Sequence, residues 1–327
     1  MRRSLGLALT LLLVASPAGA WTVRELDTPR LTFPLGLAVA PDGALWVAST
    51  YADLLVRVEP ATGVVRRVRL PRRSHPAGLA VDAKNRVWYA ASGLGLVGRL
   101  DPARGRPAEF SIPSIREARH AIPSPWALAI GGGEVWFSVQ SGGLVGRVAV
   151  DAESRHNEWA IREVSVGMPT ARPDGVAVDG AGGVWVAETG ADRLTRIDPR
   201  DGTIAHVALA AGSHPRGLAA APDGAVWVAL AGRDELARLE PSGRRLRPRR
   251  LPASVGAHPH AVAVAPDGGV WVSTLAGNAL LRLDPRTGRF DVVPLPTPRA
   301  GVRALAVDPR GQIWYAASGS GRLGVVE

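Results

Sequence analysis

The stretch HPHAVAVAPDGGVWVSTLAGNALLRLDPRTGRFDVVPLP, from His258 to Pro296, contains one complete copy of the unit from which this chain is built. A short apolar segment, Ala261 to Ala265, meets a Pro-Asp-Gly turn and is followed by a segment through Trp271. A third segment, Ala279 to Leu283, leads through a second turn to a fourth. Short strands between Gly, Asp and Pro turns are typical of hairpins, because glycine accepts the positive φ of tight turns. The stretch therefore predicts a sheet of four antiparallel strands.

The same unit recurs along the whole chain. Its central tryptophan returns every 42 to 49 residues, at Trp46, Trp88, Trp136, Trp185, Trp227, Trp271 and Trp314. The other copies begin near Pro34, His75, Ser124, Arg172, His214 and Gly301. Four strands in a repeat of about 40 to 45 residues indicate the blade of a β-propeller. The sequence therefore predicts an all-β, seven-bladed propeller.

The last copy ends after three strands, and the mature N-terminus supplies the missing one. Thr22 to Pro29 reads TVRELDTP and is similar to FDVVPLPTP at Phe290 to Pro298, the fourth strand of the copy before. We expect this N-terminal strand to pair with the C-terminal blade, because that pairing removes both open sheet edges.

The first 20 residues have the order of a secretory signal peptide. Arg2 and Arg3 precede the apolar run Leu5 to Ala15, and the small residues Ala18 to Ala20 follow it. We expect cleavage after residue 20, a single propeller domain over residues 21–327, and a periplasmic or secreted protein without integral membrane association. An uncleaved N-terminal anchor is the alternative.

Composition narrows the classes of partner. The formal net charge is +10, and nearly all of it is arginine, since Lys84 is the only lysine. The arginines are scattered through every repeat apart from Arg244 to Arg250, which favours a solvated surface with the anionic cell envelope as a weak partner and no nucleic acid. We expect a monomer. The absence of cysteine excludes a thiol nucleophile and cysteine-ligated zinc.

Two links exceed what the repeat needs, around Ser114 to Pro123 and Asp151 to Pro169, and we interpret them as surface loops rather than lids. Neither a phosphate-binding glycine loop nor a Gly-x-Ser-x-Gly elbow occurs, so nucleotide chemistry and serine hydrolysis have no support. His75, His214 and His258 precede the recurring proline, where we expect them to brace the blade junction.

The repeat geometry locates a site. In an antiparallel pair the start of the first strand lies beside the end of the second, so these positions converge on one mouth of the central channel. The residues after the recurring proline or its equivalent are Leu35, Ala77, Trp126, Asp174, Arg216, His260 and Arg303. Three residues past each tryptophan lie Ser49, Ala91, Val139, Glu188, Leu230, Thr274 and Ala317.

Charged residues cluster on one side of this predicted mouth and apolar residues on the other, which is the usual form of a small-molecule site. Asp174 and Glu188 offer oxygen ligands for a divalent cation, and His260 offers a general base. Arg216 and Arg303 suit an anion or a polarised carbonyl.

Trp126 belongs to the apolar wall, where we expect it, with Arg216, to contact a small molecule or an envelope ligand. The alternative is that the charged residues only pair with one another, for example Asp174 with Arg216.

The phrase G-[LV]-A-V-x-x-x-G-x-[VLI]-W-[VYF], followed by a strand like LVGRLDP and a fourth ending in LP, resembles the streptogramin B lyase (virginiamycin B lyase) family over the whole mature chain. The resemblance implies a magnesium-dependent elimination that opens a cyclic depsipeptide at its ester, with histidines and glutamates on the last two blades. His260, in HPHAVAV, matches a family histidine. The final blade departs from the family, because it reads Gly301, Val302, Arg303 and Ala304 and later Ala317 and Ser318.

Three functions follow from these observations. The first is a lyase of that type acting on a cyclic ester or lactone, with His260 and Arg303 catalytic and Asp174 and Glu188 on a metal. The second is a non-catalytic propeller that binds a ligand or protein of the cell envelope. The third is a calcium-dependent lactonase of the gluconolactonase type. That site needs asparagine ligands at the channel, but none of the three asparagines stands at a predicted mouth position.

Overall fold

The chain folds as a ring of seven antiparallel sheets. The computed structural model describes residues 21–26, 31–116, 122–153, 160–240, 245–252 and 258–327, and the backbone of 13–15. The first strand of each blade packs beside the first strand of the next, and that of blade seven packs beside that of blade one. The predicted seven-bladed propeller is confirmed. In this part of the chain, no helix is long and apolar enough to cross a membrane.

Six blades contain four consecutive strands, numbered outward from the channel, and the seventh borrows its outer strands from the N-terminus. Blades one to three contain β3 Pro34–Val39, β4 Leu45–Ser49, β5 Leu54–Val58, β6 Val65–Arg69, β7 Pro76–Val81, β8 Val87–Ala91, β9 Leu96–Leu100, β10 Pro107–Ser111, β11 Pro125–Gly131, β12 Glu134–Val139, β13 Leu144–Ala149 and β14 Ile161–Ser165. Blades four to six contain β15 Pro173–Val178, β16 Val184–Glu188, β17 Arg193–Ile197, β18 Ile204–Ala208, β19 Pro215–Ala220, β20 Val226–Leu230, β21 Glu235–Leu239, β22 Leu246–Arg250, β23 Pro259–Val264, β24 Val270–Thr274, β25 Ala279–Leu283 and β26 Phe290–Pro294. Blade seven contains β27 Val302–Val307, β28 Ile313–Ala317, β29 Arg322–Val326, β2 Thr22–Leu26 and β1 Leu13–Ala15.

The N-terminal strand closes the ring as the sequence predicted. β2 pairs antiparallel with β29, with Val23 opposite Val326 and Leu26 opposite Leu323. β1 lies inside the predicted signal peptide and pairs with β2. The rest of that leader lies outside the described residues, so cleavage after residue 20 stays a prediction.

The recurring tryptophans form the layers between blades. Trp227 of blade five packs against Val270 and Val272 of blade six, and Trp314 of blade seven packs against Leu45 and Val47 of blade one. All seven are at most 3% exposed. Because each one fills the gap to the following blade, loss of such a side chain costs about 3–5 kcal/mol.

A left-handed residue seven positions past each tryptophan turns the chain from the second strand into the third. These residues are Asp53, Gly95, Gly143, Asp192, Asp234, Asn278 and Gly321, and all have positive φ. Glycine, aspartate and asparagine tolerate this conformation best. The aspartates also brace the next blade: Oδ1 of Asp192 accepts the backbone N–H of His214 at 2.7 Å, and Asp53 and Asp234 accept those of His75 and His258 in the same way. The backbone N–H groups of these three histidines therefore hold the blade junction, and a bracing role of their imidazoles stays a prediction.

The two long links between repeats, around Ser114 to Pro123 and Asp151 to Pro169, have different structures. The first contains a short 3₁₀-helix, Pro113–Arg116, and residues 117–121 lie outside the described residues. The second contains β14, the outer strand of blade three, so it is shorter than the sequence suggested. A second 3₁₀-helix, Thr50–Ala52, connects β4 to β5.

Candidate functional site

The predicted positions meet at one mouth of the channel. A cavity of about 190 Å³ lies there, and its lining includes six of the seven residues that follow the recurring proline. They are Leu35, Ala77, Trp126, Asp174, His260 and Arg303. The cavity is smaller than the roughly 300–1,000 Å³ typical of pockets for drug-sized ligands. It therefore accepts a small molecule, or one reacting group of a larger molecule that rests on the rim.

Glycine in the first strands lets these residues approach one another. A Cβ on Gly217 would lie 2.4 Å from the carbonyl oxygen of His260, and one on Gly175 would lie 2.3 Å from that of Arg216. Contacts this short exclude any larger residue without movement of the backbone. The glycine of the repeated G-[LV]-A-V phrase thus positions the mouth residue of the next blade.

Asp174 and Arg216 form an ion pair across two blades. Nη1 of Arg216 donates to Oδ2 of Asp174 at 2.6 Å, and the Asp174 side chain is only 6% exposed. The backbone of Asp174 is held as well, since Oγ of Ser138 donates to its carbonyl oxygen at 2.6 Å. Arg216 does not itself line the cavity. This is the pairing that the sequence left open as an alternative, and it offsets one positive charge at the mouth.

His260 presents an unused ring nitrogen. Its Nδ1 is buried and has no hydrogen-bond partner among the described residues. Burial, together with the charges of Arg303 and Arg216 and against the opposing charge of Asp174, lowers the pKa of His260 to about 4. The imidazole is therefore neutral at neutral pH, and a neutral ring keeps a lone pair that accepts a proton.

Arg303 carries the uncompensated charge of the mouth. Among the residues that the structure describes, none offers its guanidinium a carboxylate within ion-pair distance, and the group instead lies 5.5 Å over the ring of Phe33. Burial and the neighbouring Arg216 lower the pKa of Arg303, but a guanidinium stays protonated in proteins. Arg303, Arg216 and Asp174 together leave one net positive charge beside His260.

Glu188 does not face the cavity. Its side chain is fully buried, receives a 2.6 Å hydrogen bond from Nε of Arg193, and accepts another from Thr195 Oγ1. The other residues three positions past the tryptophans are also buried and absent from the cavity lining. Side chains alternate between the two faces of a strand, so proximity to the first strand brings the backbone to the mouth but not the side chain.

The donor set does not fit the magnesium ion that the resemblance implies. Mg²⁺ is held by oxygen ligands in octahedral geometry. Here Asp174 is paired with Arg216 and Glu188 with Arg193, each by a separate ion pair. Among the described residues, no group of three His, Asp or Glu is placed to bind one ion. In blade seven, where the resemblance puts a glutamate, Oγ of Ser318 donates to the carbonyl oxygen of Pro34.

An aromatic row beside the mouth was missed by the sequence analysis. Phe33 stacks on Tyr51, and the rings of Tyr51 and His75 form a T-shaped pair. A signal for it is present in the repeats: the fifth position past the tryptophan is glycine, serine or alanine in six blades and tyrosine in blade one.

Comparisons with known proteins agree with the fold and the repeated phrase. The sequence model of the virginiamycin B lyase family matches residues 16–159 and 124–327, which together span nearly the whole chain. The chain belongs to the virginiamycin B lyase family. No curated protein is similar enough in sequence to count as a match.

Solved structures of other members of the virginiamycin B lyase family have the same fold. A streptogramin B lyase is 18% identical, with a TM-score of 0.83 over 94% of this chain and 97% of that one. A catalytically inactive histidine-to-alanine variant of virginiamycin B lyase from Staphylococcus aureus, with quinupristin, is 20% identical, with a TM-score of 0.82 over 94% and 99% of the two chains. Hydrazine synthase from Kuenenia stuttgartiensis, 15% identical, also matches, with a TM-score of 0.73 over 91% and 96%. One fold thus hosts different functions.

Proposed function

We propose that this protein is an exported lyase that opens a cyclic ester or lactone by elimination at the channel mouth. The observation that carries the proposal is the buried, unpartnered Nδ1 of His260 beside the uncompensated guanidinium of Arg303. A virginiamycin B lyase loses its activity when one histidine becomes alanine, which supports a histidine-dependent reaction in this family.

The proposed reaction needs a base and a partner for developing negative charge. Nδ1 of His260 accepts the proton from the carbon α to a carbonyl group. The electron pair of that C–H bond forms a carbon–carbon double bond, and the adjacent carbon–oxygen bond of the ester breaks. The ester leaves as a carboxylate, so the product has the mass of the substrate. Arg303 stabilises the carbonyl oxygen that gains negative charge.

Charge stabilisation must carry much of this catalysis. A base with a pKa of about 4 is available at neutral pH but is weak, because general-base efficiency rises with pKa. Desolvated donors directed at a developing anion are worth about 2.7–4 kcal/mol each. We assign this role to Arg303 rather than to a metal, since the donor set of the mouth does not fit magnesium. Trp126 contacts the substrate beside it, and Arg216 holds the carboxylate of Asp174.

Mass spectrometry tests the proposal. Purified protein is incubated with a streptogramin B and with lactones in which the carbon bonded to the ring oxygen is next to a carbon that carries an acidic proton α to a carbonyl group, each with magnesium and with chelator. We expect a linear product of unchanged mass, retained with chelator and lost in His260→Ala. His206→Ala is the matched control, because His206 lies on the outer strand β18, away from the channel.

The outcomes separate three functions. A product heavier by one water would identify a hydrolase instead. Loss of turnover with chelator would indicate that a metal ion takes part in the reaction at the mouth. No turnover of any ester would favour the second candidate, a propeller that binds an envelope ligand without converting it, for which the Asp174–Arg216 ion pair is the supporting observation.

A further inference from the structure

An aromatic row extends outward from the mouth, and we name its residues Phe33, Tyr51 and His75 the aromatic rim. The rings of Phe33 and Tyr51 stack at 5.0 Å with an interplanar angle of 22°, and the rings of Tyr51 and His75 form a T-shaped pair at 6.2 Å. At the inner end, the guanidinium of Arg303 lies 5.5 Å over Phe33. The rim is therefore continuous with the cationic side of the cavity.

The repeat does not require this tyrosine. The equivalent residues of the other six blades are Gly93, Ser141, Gly190, Gly232, Ala276 and Gly319. A Cβ on Gly190 or Gly232 would lie 2.3 or 2.1 Å from a backbone oxygen of the preceding loop. Blade one instead forms the 3₁₀-helix Thr50–Ala52, which gives the side chain room. The symmetry of the propeller is broken here by a large aromatic residue.

Tyr51 is exposed in a chain that otherwise buries its tyrosines. It keeps 67% of its surface exposed, whereas Tyr89 and Tyr315 are fully buried. Tyrosine is enriched at binding interfaces, because its ring is apolar and its hydroxyl is polar. The exposed part of the Tyr51 ring presents an electron-rich π-surface, which stacks on planar aromatic groups.

The rim is fixed in place from both sides. The backbone N–H of Tyr51 donates to the carbonyl oxygen of Thr32 at 3.4 Å, and Oγ1 of the adjacent Thr50 donates to that of Pro76 at 2.7 Å. Oδ1 of Asp53 accepts the backbone N–H of His75 at 2.9 Å. A surface that is already ordered loses little entropy when it binds a ligand.

We propose that the aromatic rim is a specificity subsite for ligands that carry a planar aromatic ring close to a carboxylate or ester carbonyl. The carboxylate or carbonyl oxygen contacts Arg303, whose charge has no described acidic partner, and the ring stacks on Tyr51. For esters this inference rests on the proposed lyase function, but for carboxylates it requires only binding. The substrate class becomes aryl-substituted esters and lactones.

Direct binding tests the subsite without turnover. Phenylacetate, cyclohexylacetate and acetate are titrated into the purified protein and followed by NMR or calorimetry. Phenylacetate and cyclohexylacetate share their charge and approximate size but differ in aromaticity. An aromatic pair contributes enough for about a three- to tenfold preference for phenylacetate. Tyr51→Ala should remove that preference, Tyr51→Phe should retain it, and Arg303→Gln should weaken all three acids. An unchanged melting temperature will show that the variants fold.

The inference would be overturned by equal binding of the two ring acids to the native protein, or by an unchanged preference in Tyr51→Ala. Absence of any measurable phenylacetate binding would also overturn it. A preference for phenylacetate over cyclohexylacetate without turnover of any ester would support the subsite and contradict the lyase function. Where turnover occurs, Tyr51→Ala should raise KM for aryl lactones about three- to tenfold with little change in kcat, because the contact is made equally in the ground and transition states.

Discussion

The phenol of Tyr315 donates a 2.9 Å hydrogen bond to Oε1 of Glu25, which lies 290 residues earlier in the chain. Glu25 belongs to the closing strand β2, is 1% exposed, and also accepts a hydrogen bond from Thr297 Oγ1. Arg322 adds a longer contact at 3.8 Å. Closure of the ring therefore depends on a buried polar contact as well as on strand pairing.

Tyr315→Phe should destabilise the protein by about 1–3 kcal/mol, because it leaves the buried carboxylate of Glu25 without one donor. Tyr89→Phe is the matched control, since Tyr89 also follows a recurring tryptophan but its buried hydroxyl has no partner among the described residues. That variant should be neutral or slightly stabilising. Urea unfolding measures both. Equal effects would show that the Tyr315–Glu25 hydrogen bond contributes nothing to closure.

Gly146→Ala should destabilise blade three by about 1–3 kcal/mol through overpacking. A Cβ there would lie 2.0 Å from Cζ of Phe137 on the neighbouring strand. Blade one has valine at both equivalent positions, Val47 and Val56. The double variant Phe137→Val with Gly146→Val should therefore recover part of the loss. A double-mutant cycle that gives simple additivity would contradict this size complementarity.

Asp192→Ala should cost about 2–3 kcal/mol, since it removes two hydrogen bonds and puts alanine in a left-handed conformation. Oδ1 accepts the N–H of His214 and Oδ2 that of Gly212, both at 2.7 Å. Asp192→Asn should cost less, because Asn278 occupies the same position in blade six. Thermal unfolding compares the two, and similar losses in both variants would argue against the brace.

The imidazole of His260 should stay neutral down to about pH 4, whereas a solvent-exposed histidine has a pKa near 6.5. The unfolded chain takes up this proton first. The contribution of the site to stability is therefore complete above pH 6.5 and is lost as the pH falls toward 4. Lyase activity should be flat from pH 6 to 8. NMR titration of the ring measures the pKa directly. A midpoint near 6.5 would contradict the proposal that His260 is a desolvated base.

Asp174→Asn should strengthen the binding of acetate and phenylacetate at low salt, because it leaves Arg216 and Arg303 uncompensated. The same change should lower the pKa of His260 further, since Asp174 is the charge that raises it. Asp291→Asn, on an outer strand, is the control. Unchanged affinity for both acids would indicate that Arg216 and Arg303 do not bind them.

Much of this fold could be predicted because each blade repeats the same local chemistry. Turn residues and apolar segments specify a four-stranded sheet within about 40 residues, and the tryptophan period counts the blades. The pairing of β2 with β29 followed from one similarity between strand sequences. The boundary of β14 could not be predicted in this way, because the link that contains it carries an insertion that hides the repeat.

The candidate site was predicted where backbone position decides the outcome. Six of the seven residues after the recurring proline line the cavity at the mouth because the repeat places every first strand at the channel, and the seventh, Arg216, pairs with Asp174 there. Glu188 was misplaced because the side of a strand to which a side chain points depends on its register with two neighbours.

The sequence by itself determined the propeller, its seven blades, its closure and the residues that ring the channel, because these follow from turns and period within single repeats. Only the tertiary structure decided that Asp174 pairs with Arg216, that Glu188 is buried with Arg193, that His260 keeps a free nitrogen, and that Phe33 and Tyr51 extend the mouth. These properties arise between blades, where distances, burial and charge depend on residues that are far apart in the chain.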